Sequence, residues 1–135
     1  MKIIIFKEVE SDVEPCDLVT YDASTNKYKK ANDEKFIGVV KSVYTENGKN
    51  MASLSFKGIQ QVKLSRNIGI EGGFLAIENG KAYIDNSSTR TSFIYPIMPI
   101  LEADVLDEES PPTTLKDENN NYYIAQDELV YIQLY

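Results

Sequence analysis

The chain contains no histidine and no tryptophan, and it has a single cysteine, Cys16. Without an imidazole, Ser-His-Asp and Cys-His nucleophile systems, His-ligated zinc and histidine general bases are all excluded. A lone cysteine makes neither an intramolecular disulfide nor a thiolate metal cluster. Beside Pro15, Cys16 reads as a small half-buried residue at a strand entry rather than a reactive thiol. Positive charge is also scarce: 14 Lys and Arg face 21 Asp and Glu, for a net charge of −7. A phosphate-binding surface needs clustered Lys and Arg, so nucleic acid is not an expected partner. The short cluster Lys27, Lys29, Lys30 is followed at once by Asp33 and Glu34 and reads as a solvated strand edge. Long apolar runs are missing as well. Ile3-Ile4-Ile5-Phe6, between Lys2 and Lys7, is too short for a signal-peptide core or a membrane span, and its β-branching favours a strand. Synthesis in a cytoplasm and no membrane partner are the expectations. Gly69, Gly72 and Gly73 lack the Lys-Ser/Thr and the helix of a phosphate loop, and no repeat of fixed period is evident.

What is present is alternation broken by tight turns. A chain of 135 residues with 42% apolar content fits one globular domain with a real core. Asp17 to Lys57 reads as three or four consecutive strands, with Phe36-Ile37-Gly38-Val39-Val40 as the most apolar one at the centre. Asn47-Gly48 and Asn79-Gly80 are the strongest short hairpin signals, because both central residues of a type I′ turn need positive φ. Ala52 to Phe56 alternates, Gly58 marks a bend, and Gln60 to Leu64 resumes alternation through Val62 and Leu64. Ser65 to Gly69 reads as a loop, and Phe74–Ile77 with Lys81–Ile84 as a second hairpin. The stretch Ser92 to Leu101 is apolar but broken by Pro96 and Pro99, which predicts an edge strand or an extended packing segment, not a central strand.

The expected organisation is a single mostly-β domain with long loops and little helix: an N-terminal strand or arm over 1–15, a β core over 16–101, an acidic Pro- and Asn-rich insertion over 102–121, and C-terminal strands over 122–135. Ala103 to Glu109 has room for one helical turn, which Pro111 stops. Leu129 to Tyr135 ends the sequence in a strand that pairs within the main sheet or with a neighbouring subunit.

Two constellations carry possible chemistry. Asp104, Asp107, Glu108 and Glu109, with Asp117 and Glu118, offer carboxylates for Ca²⁺, but they lack the alternate-position ligands and glycine of an EF-hand loop, so a solvated acidic loop is the simpler reading. The nine tyrosines offer stacking faces for sugars or bases; in a β-rich chain they more simply line strands with one face buried. No catalytic residue, cofactor or metal is expected.

The order of features resembles the head-decoration, or capsid cement, proteins of tailed bacteriophages, both the lambda type and the wider group of small capsid-stabilising proteins. The matching residues are Asp17-Leu18-Val19-Thr20-Tyr21-Asp22, Lys27, Lys30-Ala31, Phe36-Ile37-Gly38-Val39-Val40 and Ala52-Ser53-Leu54-Ser55-Phe56-Lys57-Gly58. The sequence departs from the lambda type in its proline-broken apolar stretch and in the acidic insertion. The resemblance implies a small antiparallel β-barrel or β-tulip, often trimeric, that sits on the outer surface of a virion and clamps neighbouring copies of the major capsid protein. Strands that look apolar but ill-suited to a closed fold are the candidate partner contacts: Ile3, Ile4 and Ile5, which suit addition to a sheet edge, and Phe93, Tyr95, Ile97 and Met98. The alternative for each segment is that it fills the domain's own core. Rival readings are a tail-fibre, head-fibre or receptor-binding module using tyrosines and the Asp85–Arg90 loop, a self-cleaving fibre chaperone, and a cellular β-domain with no virion role.

Overall fold

A computed structural model of the chain describes residues 4–87, 92–96 and 114–135. Among these residues the regular structure is entirely β, in antiparallel sheets with no helix, as the alternation predicts. The first half holds β1 (Ile4–Glu8), β2 (Leu18–Asp22), β3 (Lys27–Lys30), β4 (Gly38–Glu46), β5 (Lys49–Ser55) and β6 (Gly58–Lys63). Then follow β7 (Ile68–Gly69), β8 (Gly73–Glu78), β9 (Lys81–Ile84), β10 (Phe93–Tyr95), β11 (Thr114–Lys116), β12 (Tyr122–Ile124) and β13 (Leu129–Leu134). The first sheet has five strands in the order β1-β5-β4-β2-β3, the second five in the order β6-β13-β10-β8-β9, and the third three in the order β11-β12-β7.

Both expected Asn-Gly turns form, with φ of 52° and 76° at Asn47-Gly48 and 48° and 81° at Asn79-Gly80. Gly58, at φ 84°, makes the bend that separates β5 from β6 and moves the chain to the second sheet. The C-terminal strand β13 pairs with β6 and β10 inside the second sheet.

Each five-stranded sheet curls until its edges touch at one parallel bridge, Val9 with Tyr28 in the first and Leu64 with Ala82 in the second. The Glu10 N–H donates to the Tyr28 carbonyl at 2.9 Å, and the Ser65 N–H to the Ala82 carbonyl at 2.8 Å. Among the described residues neither sheet closes into a barrel. In the first, β3 begins only at Lys27, so the part of β1 before Val9 lies alongside the β2–β3 turn, which has no ladder to offer.

The two sheets share a wall. Leu18 and Val39 face the core of the second sheet, packing with Val62, Leu75, Ile94 and Ile132. Their neighbours Val19 and Val40 face the core of the first, with Val9, Tyr28, Ala52 and Leu54. Side chains alternate across a strand, so the start of β2 and of β4 is buried on both faces. The Asn79-Gly80 turn plugs into this wall: Leu18 N–H donates to the Gly80 carbonyl and Gly80 N–H to the Ala31 carbonyl, both at 2.8 Å. Side chains of the following loop tighten the joint, as the Asp33 and Asn32 oxygens accept the N–H groups of Ile77 and Asn79 at 2.9 and 3.0 Å. The seam of the second sheet is thereby covered by the first.

The structure corrects several expectations. Phe93–Tyr95 is not an edge strand: β10 lies between β13 and β8. It is tolerated there because Pro96 falls just beyond the paired residues, so its missing N–H interrupts no ladder bond. Phe36 and Ile37 precede β4 rather than belonging to it, and Phe36 is exposed. The Ser65–Gly69 loop contains β7, and the end of the expected insertion contributes β11, two strands too short to show a period. Pro15 sits in the turn ahead of β2. The possible helical turn at 103–109 and the carboxylates Asp104, Asp107, Glu108 and Glu109 lie outside the described residues.

Two expectations test the shared wall. Leu18→Ala should lower the unfolding free energy by about 2–5 kcal/mol in urea titration, the cost of a cavity in a fully buried site; a loss under about 1 kcal/mol would mean the wall is not load-sharing. Asp17, buried at the same joint, accepts the Glu14 N–H at 2.8 Å, and burial pushes its carboxyl above the ordinary value of 3.8. The folded state therefore holds this proton more tightly than the unfolded one. The resulting stability is fully present below 3.8 and is lost as pH rises through the raised folded value. Asp17→Asn keeps an acceptor for Glu14 and should remove that fall from a series of melts against pH; an unchanged profile would contradict it.

Candidate assembly surface

The edge of β1 is where backbone chemistry is left unfinished. β1 pairs with β5 from Ile4 with Ser55 to Glu8 with Met51, and the next N–H, that of Val9, donates to the Asn50 carbonyl at 2.9 Å. Antiparallel ladders alternate, so Ile5, Lys7 and Val9 bond toward β5, while Ile4, Phe6 and Glu8 point N–H and C=O outward. The Glu8 carbonyl is taken by the Tyr28 N–H at the parallel bridge, while among the described residues no strand pairs with the outward groups of Ile4 and Phe6. They face a gap of about 440 Å³ between β1 and the β2–β3 turn, lined by Phe6, Lys7, Glu8, Tyr21, Asn26 and Tyr28 with Met51. The Tyr21 hydroxyl is hydrogen-bonded to the Asn26 side chain, and the Tyr21 and Tyr28 rings meet at 5.5 Å. Burial pushes the Tyr28 phenol above its ordinary pKa, so it stays a neutral, mostly apolar wall. Lys27 reaches Glu8 across the seam at 3.7 Å, an exposed pair worth little.

A second free edge lies on the opposite side of the same ribbon, across β5. β2 pairs with β4 only at Gly38 and Val39, and a bulge at Lys41 then turns β4 and β5 into a hairpin arm. With Glu46 and Lys49 closing the two-residue turn, Val43 and Thr45 direct their N–H and C=O away from β5, and no described strand receives them. Lys41 is tied back by its ammonium to the Gln60 side chain at 2.9 Å.

The side chains beside these edges are apolar and open. Ile4, Phe6 and Tyr44 share one face, and the Phe6 and Tyr44 rings meet edge-on at 6.4 Å. Phe6 is 61% exposed, Ile4 46% and Tyr44 36%. An edge strand flanked by exposed apolar side chains is an association site unless something covers it.

The expected contact residues separate. Ile4 and Ile5 are on the open edge, exposed and not filling the core; Ile3 lies outside the described residues. Phe93 and Tyr95 are half-buried on the outer face of the second sheet, where Phe93 packs against Phe74 and Tyr95 at 5.5 and 5.3 Å. Between them Ile94 points into the core. Ile97 and Met98 lie outside the described residues. Phe6 and Tyr44 were not among the sequence candidates, although period-2 spacing from Ile4 marks Phe6. The lysine run is the edge strand β3, as expected.

Among the described residues no group of acidic, cysteine or histidine side chains is placed to hold a metal, and no helix is long and apolar enough to cross a membrane. Comparison with known protein families, curated proteins and solved structures finds no match to this chain.

Because Ile4 is exposed, Ile4→Asp should cost less than about 1 kcal/mol of stability in denaturant titration. Loss of folding would move Ile4 into the core and remove it from the assembly surface.

Proposed function

We propose that the chain is a structural virion protein that decorates a bacteriophage capsid and stabilises it by bridging neighbouring copies of the major capsid protein. The observation that carries this reading is the unpaired edge of β1, with Ile4 and Phe6 beside it. A strand from a capsid subunit placed along this edge pairs with the outward groups of Ile4 and Phe6 and the N–H of Glu8, and buries Phe6. One strand edge is small against the roughly 800 Å² per partner of a stable interface. The Val43–Thr45 edge and the Tyr44 face supply the remainder, which suits a protein that touches more than one subunit. Such a role needs no catalytic residue: shells fail at subunit junctions, and a clamp adds buried apolar area and strand pairing across them. The resemblance around β2 to β5 supports the outer capsid surface as its location and a homotrimer as its form.

The test is sedimentation of the purified chain with capsids stripped of minor proteins. Saturable co-sedimentation at one copy per capsid subunit, or a simple fraction of it, is expected. Phe6→Asp should weaken it at least about tenfold, as for a central aromatic anchor, while the circular dichroism spectrum is unchanged. A folded protein that ignores the shells would overturn the reading in favour of a fibre or receptor-binding module.

A further inference from the structure

The third sheet holds a cleft that the assembly surface does not use. It has a volume of about 730 Å³ and lies between β7 with its following turn and the β11–β12 hairpin. Its walls include Asn67, Ile70, Glu71, Asn120, Asn121 and Tyr122, and among the described residues that line it none is a lysine or arginine.

The walls are set by the fold. The Asp117 carboxylate accepts the N–H groups of Asn119 and Asn121 at 2.8 and 2.9 Å, and the Asp117 N–H donates to the Asn121 carbonyl at 3.0 Å. Asn120 is at φ 63°, a conformation asparagine tolerates well. The hairpin turn is thereby fixed around the Asp117 carboxylate. On the facing wall the Asn67 side-chain oxygen accepts the Gln126 N–H at 2.8 Å, which leaves its NH₂ to donate. The two walls are joined by the ladder of Tyr123 with Gly69 and Ile124 with Ile68. A Cβ on Gly69 would collide with the Glu71 carboxylate, so the glycine is what lets that carboxylate lie back over β7. Tyr122 is 51% exposed, and the Lys116 ammonium sits 5.1 Å from its ring centre.

The chemistry of this lining is selective. Carboxylate and amide groups supply both acceptors and donors, as vicinal hydroxyls require, and Tyr122 with Ile70 offers an apolar surface for the C–H face of a ring. Two carboxylates without a lining cation disfavour phosphate and sulfate. The volume falls within the range of small-molecule sites. We propose that this cleft binds a neutral carbohydrate, with Glu71 and the asparagine amides holding ring hydroxyls and Tyr122 packing against a sugar face. This goes beyond the assembly reading and does not depend on it.

The test is a residue-resolved NMR titration of the full chain with maltotriose, lactose and chitotriose, and with a heparin oligosaccharide as the charged comparison. At least one neutral sugar should give saturable shifts confined to residues 67–71 and 117–123, and heparin should give none there. Glu71→Gln and Tyr122→Ala should each weaken that sugar about three- to tenfold, the scale of one hydrogen bond or ring contact. Glu71→Gln is near-isosteric, so it decides the matter if Tyr122→Ala disturbs the third sheet. No saturable shift from any neutral sugar, shifts centred elsewhere, a preference for heparin, or unchanged affinity in Glu71→Gln would overturn the proposal.

Discussion

The structure depends on a stretch of wall with no solvent side. At the start of β2 and β4, Leu18 and Val39 complete one core while Val19 and Val40 complete the other. A sheet that curls around its own core usually turns its outer face to water, which permits polar residues there. Here both faces are dry, so consecutive residues must all be apolar, and both Leu18-Val19 and Val39-Val40 are. The backbone follows from the same constraint. The N–H and C=O groups exposed at the wall's end are met by the Asn79-Gly80 turn, whose positive φ lets it enter between Leu18 and Ala31. Gly38 belongs to this arrangement too, since a Cβ there would drive into the Phe56 ring that covers it.

An asymmetry between the two curled sheets follows. Both meet at one bridge and then part, because in each the partner strand starts late. In the second sheet the gap is covered by the first sheet's wall, with Leu18, Ala31, Ile37 and Val39 entering its core. Among the described residues nothing equivalent covers the first sheet's gap, and β1 keeps its outward edge. Natural sheets usually blunt such edges with charge or proline. β1 carries charge only at its end, in Lys7 and Glu8, and over Ile4 to Phe6 it is apolar and exposed, which is the physical reason to read that part as a docking strand.

Much of this was legible in the sequence because turns and alternation are local. Both Asn-Gly hairpins, the Gly58 bend, the β2 to β5 run and the C-terminal strand followed from residues adjacent in the chain. What was hidden depends on distant partners. Pro96 and Pro99 signalled an edge, yet β10 is internal, because a proline one residue past a short ladder costs nothing there. β7 and β11 are too short to carry a period. Whether a barrel closes turns on where β3 starts relative to Val9, a matter of register across the sheet. The cleft at Asn67, Glu71 and Tyr122 brings together segments about fifty residues apart, and no local motif marks it.

Residue-resolved amide hydrogen exchange on the isolated protein and on capsid-bound protein addresses the open edge most directly. In the isolated chain the amides of Ile5, Lys7 and Val9 should be protected and those of Ile4, Phe6 and Glu8 should exchange quickly, with the second set slowed on binding to shells. Uniform protection along β1 in the isolated chain, or no change in Phe6 and Glu8 on binding, would contradict an open edge that serves assembly.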